Sequence, residues 1–172
     1  IAIEAVKNAA PDGYTILVVS NAHVAINPAL YKNLPYDPRK DFVPVARIYY
    51  TPFFVTVSTS GPYQSVPALI AAAKANPGNV SYGSSYVGSP SHLGAAEFEF
   101  LTGTRMMHIP YKEQSPMYVA IASGDVDWAF STLASALPLM KAGRLKLLAI
   151  ATKQRLKALP EAAAKLQAGG RV

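Results

Sequence analysis

The sequence has no cysteine among its 172 residues. This absence excludes disulfide bridges, thiolate metal sites and a cysteine nucleophile, but it does not identify a compartment, because exported proteins can lack disulfides. No apolar run approaches the roughly 18 to 20 residues that a helix needs to cross a bilayer, so we expect no membrane insertion. Charged residues make up 15% of the chain and hydrophobic residues 51%, which is ample for a buried core.

Basic side chains outnumber acidic ones, which gives a formal net charge of +6. Lys141, Arg144 and Lys146 surround an apolar segment that lacks the interleaved aromatic residues of a nucleic-acid interface. The basic residues therefore indicate a solvated surface, which would modestly concentrate small anions, and no nucleic-acid partner is expected.

The second half of the chain alternates between short apolar runs and longer amphipathic stretches. Gly103, Gly124 and Gly143 stand where helix C-terminal glycines belong, and Ser115 is expected to cap a helix with Pro116 in its first turn. We predict strands over residues 79–83, 106–109, 126–130 and 145–151, and helices over 91–101, 115–122 and 135–142. This alternation is typical of an α/β sheet with helices on both faces.

The first half is less regular. Residues 14–19 form a continuous apolar run that predicts a buried strand, and the prolines that follow allow only short helical turns. Extended character resumes over residues 47–57, the expected crossing between two lobes, and Ser65 is expected to cap the next helix.

The loop of residues 84–91, called here the serine loop, joins a predicted strand to a predicted helix and consists largely of serine and glycine. Ser89, Ser91 and the unpaired amides of a helix start can receive a carboxylate or phosphate oxygen without any charged residue. The alternative interpretation is that Ser89 or Ser91 merely caps the helix. Ligands of open α/β sheets bind beyond the carboxyl ends of strands, which is where this loop lies.

The sequence offers little for catalysis or metal binding. It has three histidines, and His92 follows Ser91 directly, so on a helix the two side chains point in different directions. No Gly-x-Ser-x-Gly elbow is present, and a Ser-His pair would need His23 or His108 brought in from elsewhere. The histidine spacing lacks the pattern of a zinc site, so no metal, no cofactor and no enzymatic activity are expected.

Several motifs recur in an order that resembles one known family. They are Ala10-Pro11-Asp12-Gly13-Tyr14-Thr15, Ser20-Asn21-Ala22-His23, the Pro-rich segment 26–38, the serine loop, and Pro110-Tyr111-Lys112 before Ser115-Pro116. The chain resembles the Bug or TctC-like family of periplasmic solute-binding proteins that serve tripartite tricarboxylate transporters. The resemblance covers roughly residues 3–160.

The resemblance implies a type II periplasmic-binding-protein fold, an α/β fold of two lobes with central, mostly parallel sheets flanked by helices. Residues 1–50 would form part of lobe 1, residues 51–145 lobe 2, and residues 146–172 would return to lobe 1. Members carry an earlier strand, a Gly-rich loop and a helix before the position of Ile3, so we expect part of the ligand site to lie outside this sequence. The tail after Pro160 departs from the family pattern and reads as a helix ending at Gly169-Gly170.

The resemblance also implies a function, which is capture of a small organic carboxylate between two closing lobes. The protein would be periplasmic, and its partners would be the membrane subunits of the transporter. The implied ligand-binding residues are Ser20, Asn21, His23, Ser84, Ser85, Gly88, Ser89, Ser91, Tyr111, Ser115, Ser131 and Thr132. Two departures bear on ligand preference: Glu113 replaces a frequent glycine, and Ser131-Thr132 replaces a frequent Asp-Asn.

Two other classes of protein remain open. A LysR-type effector-sensing domain has a similar two-lobed architecture, but it would be attached to a helix-turn-helix that this chain does not contain. An α/β hydrolase-type enzyme would require a nucleophile in contact with a base. Asp125 and Asp127 do not supply such chemistry, because they read as a turn and strand entry.

Overall fold

The computed structural model describes residues 2–152 of the chain. These residues belong to two compact units, Ile1–Tyr50 and Thr51–Val172.

The first unit contains short helices and irregular chain. Helix α1 spans Ala2–Lys7, and a π-helical turn, Ala22–Ile26, leads directly into α2, Asn27–Leu30. The buried Tyr36 donates its hydroxyl hydrogen bond to the carbonyl of His23 at 2.8 Å, which fixes this helical segment.

An ion pair ties α1 to Asp41, just after the Pro-rich segment. The Lys7 Nζ lies 3.0 Å from the Asp41 carboxylate, which also accepts the Asp37 amide at 2.8 Å. The Asp37 amide and then Lys7 hold the pKa of Asp41 below its ordinary value.

The prediction of a strand over residues 14–19 is wrong. These residues form no ladder, and Ile16 and Val18 are 72% and 62% exposed. A strand exists only where a neighbouring strand accepts its backbone hydrogen bonds, and the described part of the first unit contains no strand. Apolar side chains such as these favour burial, but no element within residues 2–50 covers Ile16 or Val18.

The second unit is built on a five-stranded sheet with the order β3-β2-β4-β1-β5. The strands are β1, Phe54–Ser58; β2, Ser81–Ser84; β3, Met107–Pro110; β4, Trp128–Ser131; and β5, Leu145–Ile150. Strands β3, β2 and β4 run parallel to one another, whereas β1 is antiparallel to both of its neighbours, β4 and β5. The sheet is therefore mixed.

Four helices cover this sheet, and several of their ends follow the sequence signals. They are α3, Val66–Ala75; α4, Pro90–Thr102; α5, Gln114–Ser123; and α6, Leu133–Lys141. Ser65 caps α3 by accepting the Ala68 amide, as predicted. Gly103 and Gly124 end α4 and α5 in the left-handed conformation, with φ of 62° and 90°.

Helices pack on both faces of the sheet, which confirms the α/β expectation. Strand β4 shows this directly, because Trp128 and Phe130 pack on one face with residues of α3 and α4, and Ala129 packs on the other with residues of α5 and α6. Trp128 is fully buried among Tyr82, Phe98 and Phe130. The alternation of side chains along a strand accounts for this division of the core.

Two boundary expectations need correction. The boundary expected at residue 146 falls inside β5, which pairs with β1 along its whole length, so residues up to Ile150 belong to the sheet of the second unit. Helix α5 begins at Gln114 after an extended Glu113, so Ser115 lies within the first turn and does not cap it. The helix expected after residue 160 lies outside the described residues.

Gly83 in β2 permits a close approach that a larger residue would prevent. A Cβ at this position would lie 2.7 Å from Met117 Cγ and 3.0 Å from its Sδ. Met117 belongs to α5 and is buried, so the absence of a side chain at Gly83 lets α5 pack directly on the backbone of β2.

Replacing Gly83 by alanine should therefore destabilise the fold. We expect Gly83→Ala to lower the free energy of unfolding in urea by about 1 to 3 kcal/mol, because the core is overpacked against Met117. Gly94→Ala in α4 is the matched control, since its Cβ would meet only the Phe130 ring at 3.4 Å. The control should be neutral or stabilising by up to about 1 kcal/mol. Equal losses in both variants would contradict the packing argument.

Candidate functional site

The carboxyl ends of three parallel strands meet at one edge of the sheet. Tyr82 is in register with both His108 and Trp128, so the residues that follow β2, β3 and β4 emerge side by side. The serine loop follows β2, Tyr111 follows β3, and Thr132 follows β4. The Tyr111 amide donates to the Ser84 carbonyl at 2.8 Å, which joins two of these segments just beyond the strands.

The chain also enters and leaves this sheet at the same edge. Strand β1 begins with Phe54 opposite Ser131 and Ile150, and the Ala151 amide donates to the Phe53 carbonyl at 2.8 Å. The antiparallel directions of β1 and β4 therefore bring the two connecting segments next to the carboxyl ends of the parallel strands.

The serine loop is held by its own hydrogen bonds. The Tyr86 carbonyl accepts both the Ser84 hydroxyl, at 3.2 Å, and the Ser89 amide, at 3.1 Å. Gly88 has φ of +84° and donates its amide to His92 Nδ1 at 3.0 Å. Tyr86 and Val87 form the exposed tip of the loop, whereas Gly88 and Ser89 are buried.

Ser89 is the N-cap of α4, so the capping interpretation is confirmed for this residue. Its Oγ accepts the His92 amide at 3.2 Å and lies 3.1 Å from Ser91 Oγ. Ser91 Oγ in turn accepts the Ser85 amide at 3.5 Å. The two buried hydroxyls therefore form the base of the loop.

Three amides of the loop remain available. Within residues 2–152, the backbone N–H groups of Tyr86, Val87 and Ser91 have no hydrogen-bond partner in the protein. Ser91 is the first residue of α4 with an N–H group, because Pro90 has none. The positive end of the helix dipole lies at the same position, so the local field favours an anion.

A second group of hydroxyls lies at the end of β4. Ser131 Oγ is hydrogen-bonded to Thr56 Oγ1, and both residues are fully buried. Ser135 Oγ lies 2.5 Å from Thr132 Oγ1 and 2.9 Å from the Tyr118 hydroxyl. Burial raises the pKa of Tyr118, so its hydroxyl stays protonated and neutral.

The described part of this edge has few charged groups. Gln114 reaches Ser85, with its Nε2 3.5 Å from Ser85 Oγ, and Tyr111 is half-buried nearby. Ser115 and Glu113 are exposed. Lys112, the other charged residue of the segment after β3, is also exposed. The buried part of the site is made of hydroxyls, amides and neutral rings, a set that recognises by hydrogen bonding.

Ser84 and His108 form a contact that the sequence did not predict. Ser84 Oγ lies 2.7 Å from His108 Nε2, which is the nucleophile–base distance of a hydrolase. Ser84 is 0% exposed, however, and its hydroxyl is already shared with the Tyr86 carbonyl. A nucleophile in this position cannot reach a substrate, so the pair is a structural hydrogen bond.

The three site residues predicted in the first unit lie around the π-helical turn. Ser20 Oγ is 3.1 Å from His23 Nδ1, immediately before and within the turn. Asn21 is exposed and makes no side-chain cap bond. These residues are close together within their own unit.

Sequence reasoning missed four residues of the second unit: Thr56, His108, Tyr118 and Ser135. Each joins a hydrogen bond to a predicted residue or its neighbour. The missing information was strand register, because the link of Ser84 to His108 depends on the pairing of β2 with β3. Hydroxyl residues at strand ends were the only available signal.

Within the part of the chain that the structure describes, no cluster of histidine, aspartate or glutamate residues is suited to a metal ion. Across the same residues, none of the helices combines the length and the apolarity needed to span a membrane.

The family model of the tripartite tricarboxylate transporter family receptor matches residues 1–171. The chain therefore belongs to this family of solute-binding receptors. It is 36% identical over 172 residues to a UPF0065 protein of Bordetella pertussis, covering 99% of this chain and 53% of that protein. It is 33% identical over 156 residues to the protein BugT of the same species, covering 90% and 48%. The chain thus spans about half the length of the relatives it matches.

Solved structures give the same result. The Rhodopseudomonas palustris protein Rpa4515, determined with adipate, is 34% identical with a TM-score of 0.85, covering 98% of this chain and 57% of that one. MatC from the same organism, with bound malate, is 25% identical with a TM-score of 0.78, covering 95% and 55%. A third structure, described as a periplasmic transporter, is 37% identical with a TM-score of 0.81, covering 95% and 55%.

The environment of His108 predicts a pH dependence of stability. Burial, and then the charge of His92, lower the pKa of His108 below its ordinary value of 6.5. Above pH 6.5 the ring is neutral in both folded and unfolded chains. Below pH 6.5 the unfolded chain takes up a proton at His108 more readily than the folded chain does, so the free energy of unfolding falls as pH decreases toward the folded pKa.

Urea unfolding at pH 7.5 and pH 5 should show this loss of stability, and His108→Gln should reduce it. A pH dependence identical in the variant would contradict the assignment.

Proposed function

We propose that this chain forms part of an extracytoplasmic receptor that captures a small organic carboxylate and delivers it to the membrane subunits of a tripartite tricarboxylate-type transporter. The observation that carries the proposal is the edge formed by the carboxyl ends of β2, β3 and β4, where free amides, hydroxyls and the start of α4 lie together. Family membership supports it, as do two structural neighbours that were determined with adipate and malate.

The proposed binding residues are the ones implied by the family resemblance. In the second unit, the carboxylate would accept hydrogen bonds from the free amides of the serine loop and of Ser91. A hydrogen bond to a charged group contributes about 1.5 to 3 kcal/mol, so a few such bonds suffice for useful affinity. Ser20, Asn21 and His23 are the proposed ligand-binding residues of the first unit. Receptors of this class act by closing two lobes around the ligand, so their function requires no chemical reaction of the ligand.

The direct test is calorimetric titration of the purified full-length protein with malate and adipate, and with their uncharged diamides as matched ligands. We expect at least one of the two carboxylates to bind and to dissociate chemically unchanged. The corresponding diamide should not bind. The receptor proposal fails if no carboxylate binds, if the diamides bind equally well, or if a carboxylate is chemically transformed.

Removal of the Ser91 hydroxyl should weaken binding. Ser91 Oγ is the acceptor for the Ser85 amide and is buried beneath the loop, so Ser91→Ala removes one of the contacts between the loop and α4. We expect affinity to fall by about 1 to 3 kcal/mol in calorimetric titration. Ser65→Ala is the control for a lost serine at a helix start, and it should leave affinity unchanged. Thermal melting of both variants separates this effect from a loss of fold.

A carboxylate placed on the protein should exclude the ligand. Aspartate is as good an N-cap as serine, so Ser89→Asp keeps α4 capped while it puts a negative charge at the helix start. We expect carboxylate binding to be nearly abolished. The melting temperature should fall, because the new charge is buried, but circular dichroism at the assay temperature should show a folded protein. Ser65→Asp makes the same change at the cap of α3 and should bind normally. Normal binding by Ser89→Asp would exclude this helix end as the anion site.

A further inference from the structure

Two histidine rings stack beneath the serine loop. His92 in α4 and His108 in β3 have ring centroids 4.1 Å apart and planes 24° from parallel. Tyr82 in β2 stacks on both, at 5.0 Å from His108 and 6.4 Å from His92. Both imidazoles are half-buried, so their charge states depend on their neighbours.

The hydrogen-bond partners assign the protons on both rings. Gly88 donates its amide to His92 Nδ1, which must therefore carry a lone pair and leave the proton on Nε2. The Ser84 hydroxyl donates to the Tyr86 carbonyl, so His108 Nε2 donates to Ser84 Oγ. His92 must be neutral for its contact to exist, because a protonated Nδ1 is a donor facing a donor.

These two contacts hold different parts of one loop. His92 fixes the Gly88 amide, at the residue with positive φ, and His108 fixes the Tyr86 carbonyl through Ser84. The free amides of Tyr86 and Val87 lie between those two points. Loss of the Gly88 contact would leave a buried amide without an acceptor, and the loop would have to rearrange to satisfy it.

The surroundings do not stabilise positive charge on the rings. Burial raises the pKa of Tyr82 to about 12, so it is neutral, and Glu99 interacts with Tyr82. Within residues 2–152, no carboxylate lies within salt-bridge distance of His92 or His108. Protonation of both rings would place two cations 4.1 Å apart with no counter-charge beside them.

We propose that His92 and His108 are positioning residues for the serine loop, and that the loop keeps its ligand-accepting form only while His92 is neutral, so that acidification releases the carboxylate. The His108 contact survives protonation of that ring, because its Nε2 is already the donor to Ser84. The inference rests on the proposed function, because the loop is the proposed carboxylate site. It adds a coupling between proton uptake at His92 and ligand release. The carboxylate then binds the form with a neutral His92, although simple attraction between charges would favour the protonated form.

The test is calorimetric titration with malate and adipate at pH 7.5 and pH 5.0. Wild-type affinity should fall toward the lower pH, by up to about tenfold per pH unit for each proton that opposes binding. His92→Asn keeps an oxygen acceptor near the position of Nδ1 and cannot titrate in this range, so its affinity should vary far less with pH. His92→Leu removes the acceptor and should bind weakly at both pH values. A rise in wild-type affinity on acidification, or an unchanged pH profile in His92→Asn, would overturn the proposal.

A measurement without ligand separates this proposal from the proposed function. In the free protein, the amide NMR signal of Gly88 should shift between pH 7.5 and pH 5.0, and the shift should vanish in His92→Asn. His108→Gln retains a donor for Ser84 and should keep the loop signals in place at neutral pH.

If carboxylates bind but the Gly88 signal does not change with pH, the coupling is wrong and the receptor function stands. If Gly88 responds as expected but no carboxylate binds at any pH, the coupling of the loop stands and the receptor function is wrong.

Discussion

The parallel pairing of β2 with both β3 and β4 is the constraint on which the candidate site depends. It puts three carboxyl ends at one edge, and each is followed by a polar segment that leads into a helix. Gly83 makes β2, the middle one of the three parallel strands, compatible with this arrangement, because α5 packs where a side chain would otherwise stand. The antiparallel β1 adds the connecting segments to the same edge.

The buried part of the site offers an anion hydroxyls and amides. The hydroxyls of Ser84, Ser89, Ser91 and Ser131 are buried, and within residues 2–152 every buried side-chain nitrogen or oxygen has a hydrogen-bond partner. Such a network resists rearrangement, since an unpaired buried polar group is costly. The amides that remain free at the serine loop are thus held in place before a ligand arrives, which reduces the ordering cost of binding.

The sequence was sufficient for features that are encoded locally. Ser65 as a cap and Gly103 and Gly124 as helix ends follow from backbone conformations that only a few residue types favour. The serine loop could be located because a run of serine and glycine between a strand and a helix is typical of a helix cap or an anion site. The burial of Trp128 follows from an apolar strand between two helical layers.

Features that depend on distant partners were not predictable in the same way. Residues 14–19 have the composition of a strand, yet they pair with no other strand in the described first unit. Composition alone does not specify the neighbouring strand that a ladder requires. Helix α5 begins at Gln114, one residue before the predicted start. The extended Glu113 precedes it, and Ser115 does not act as its cap. The contact of Ser84 with His108 required the register of β2 and β3, which side-chain types alone do not specify.

The most direct test of the account is a crystal structure of the full-length protein with bound malate or adipate. The account predicts a ligand carboxylate within about 3 Å of the free amides of Tyr86, Val87 or Ser91, at the start of α4. A carboxylate bound elsewhere, with these amides facing only solvent, would contradict it.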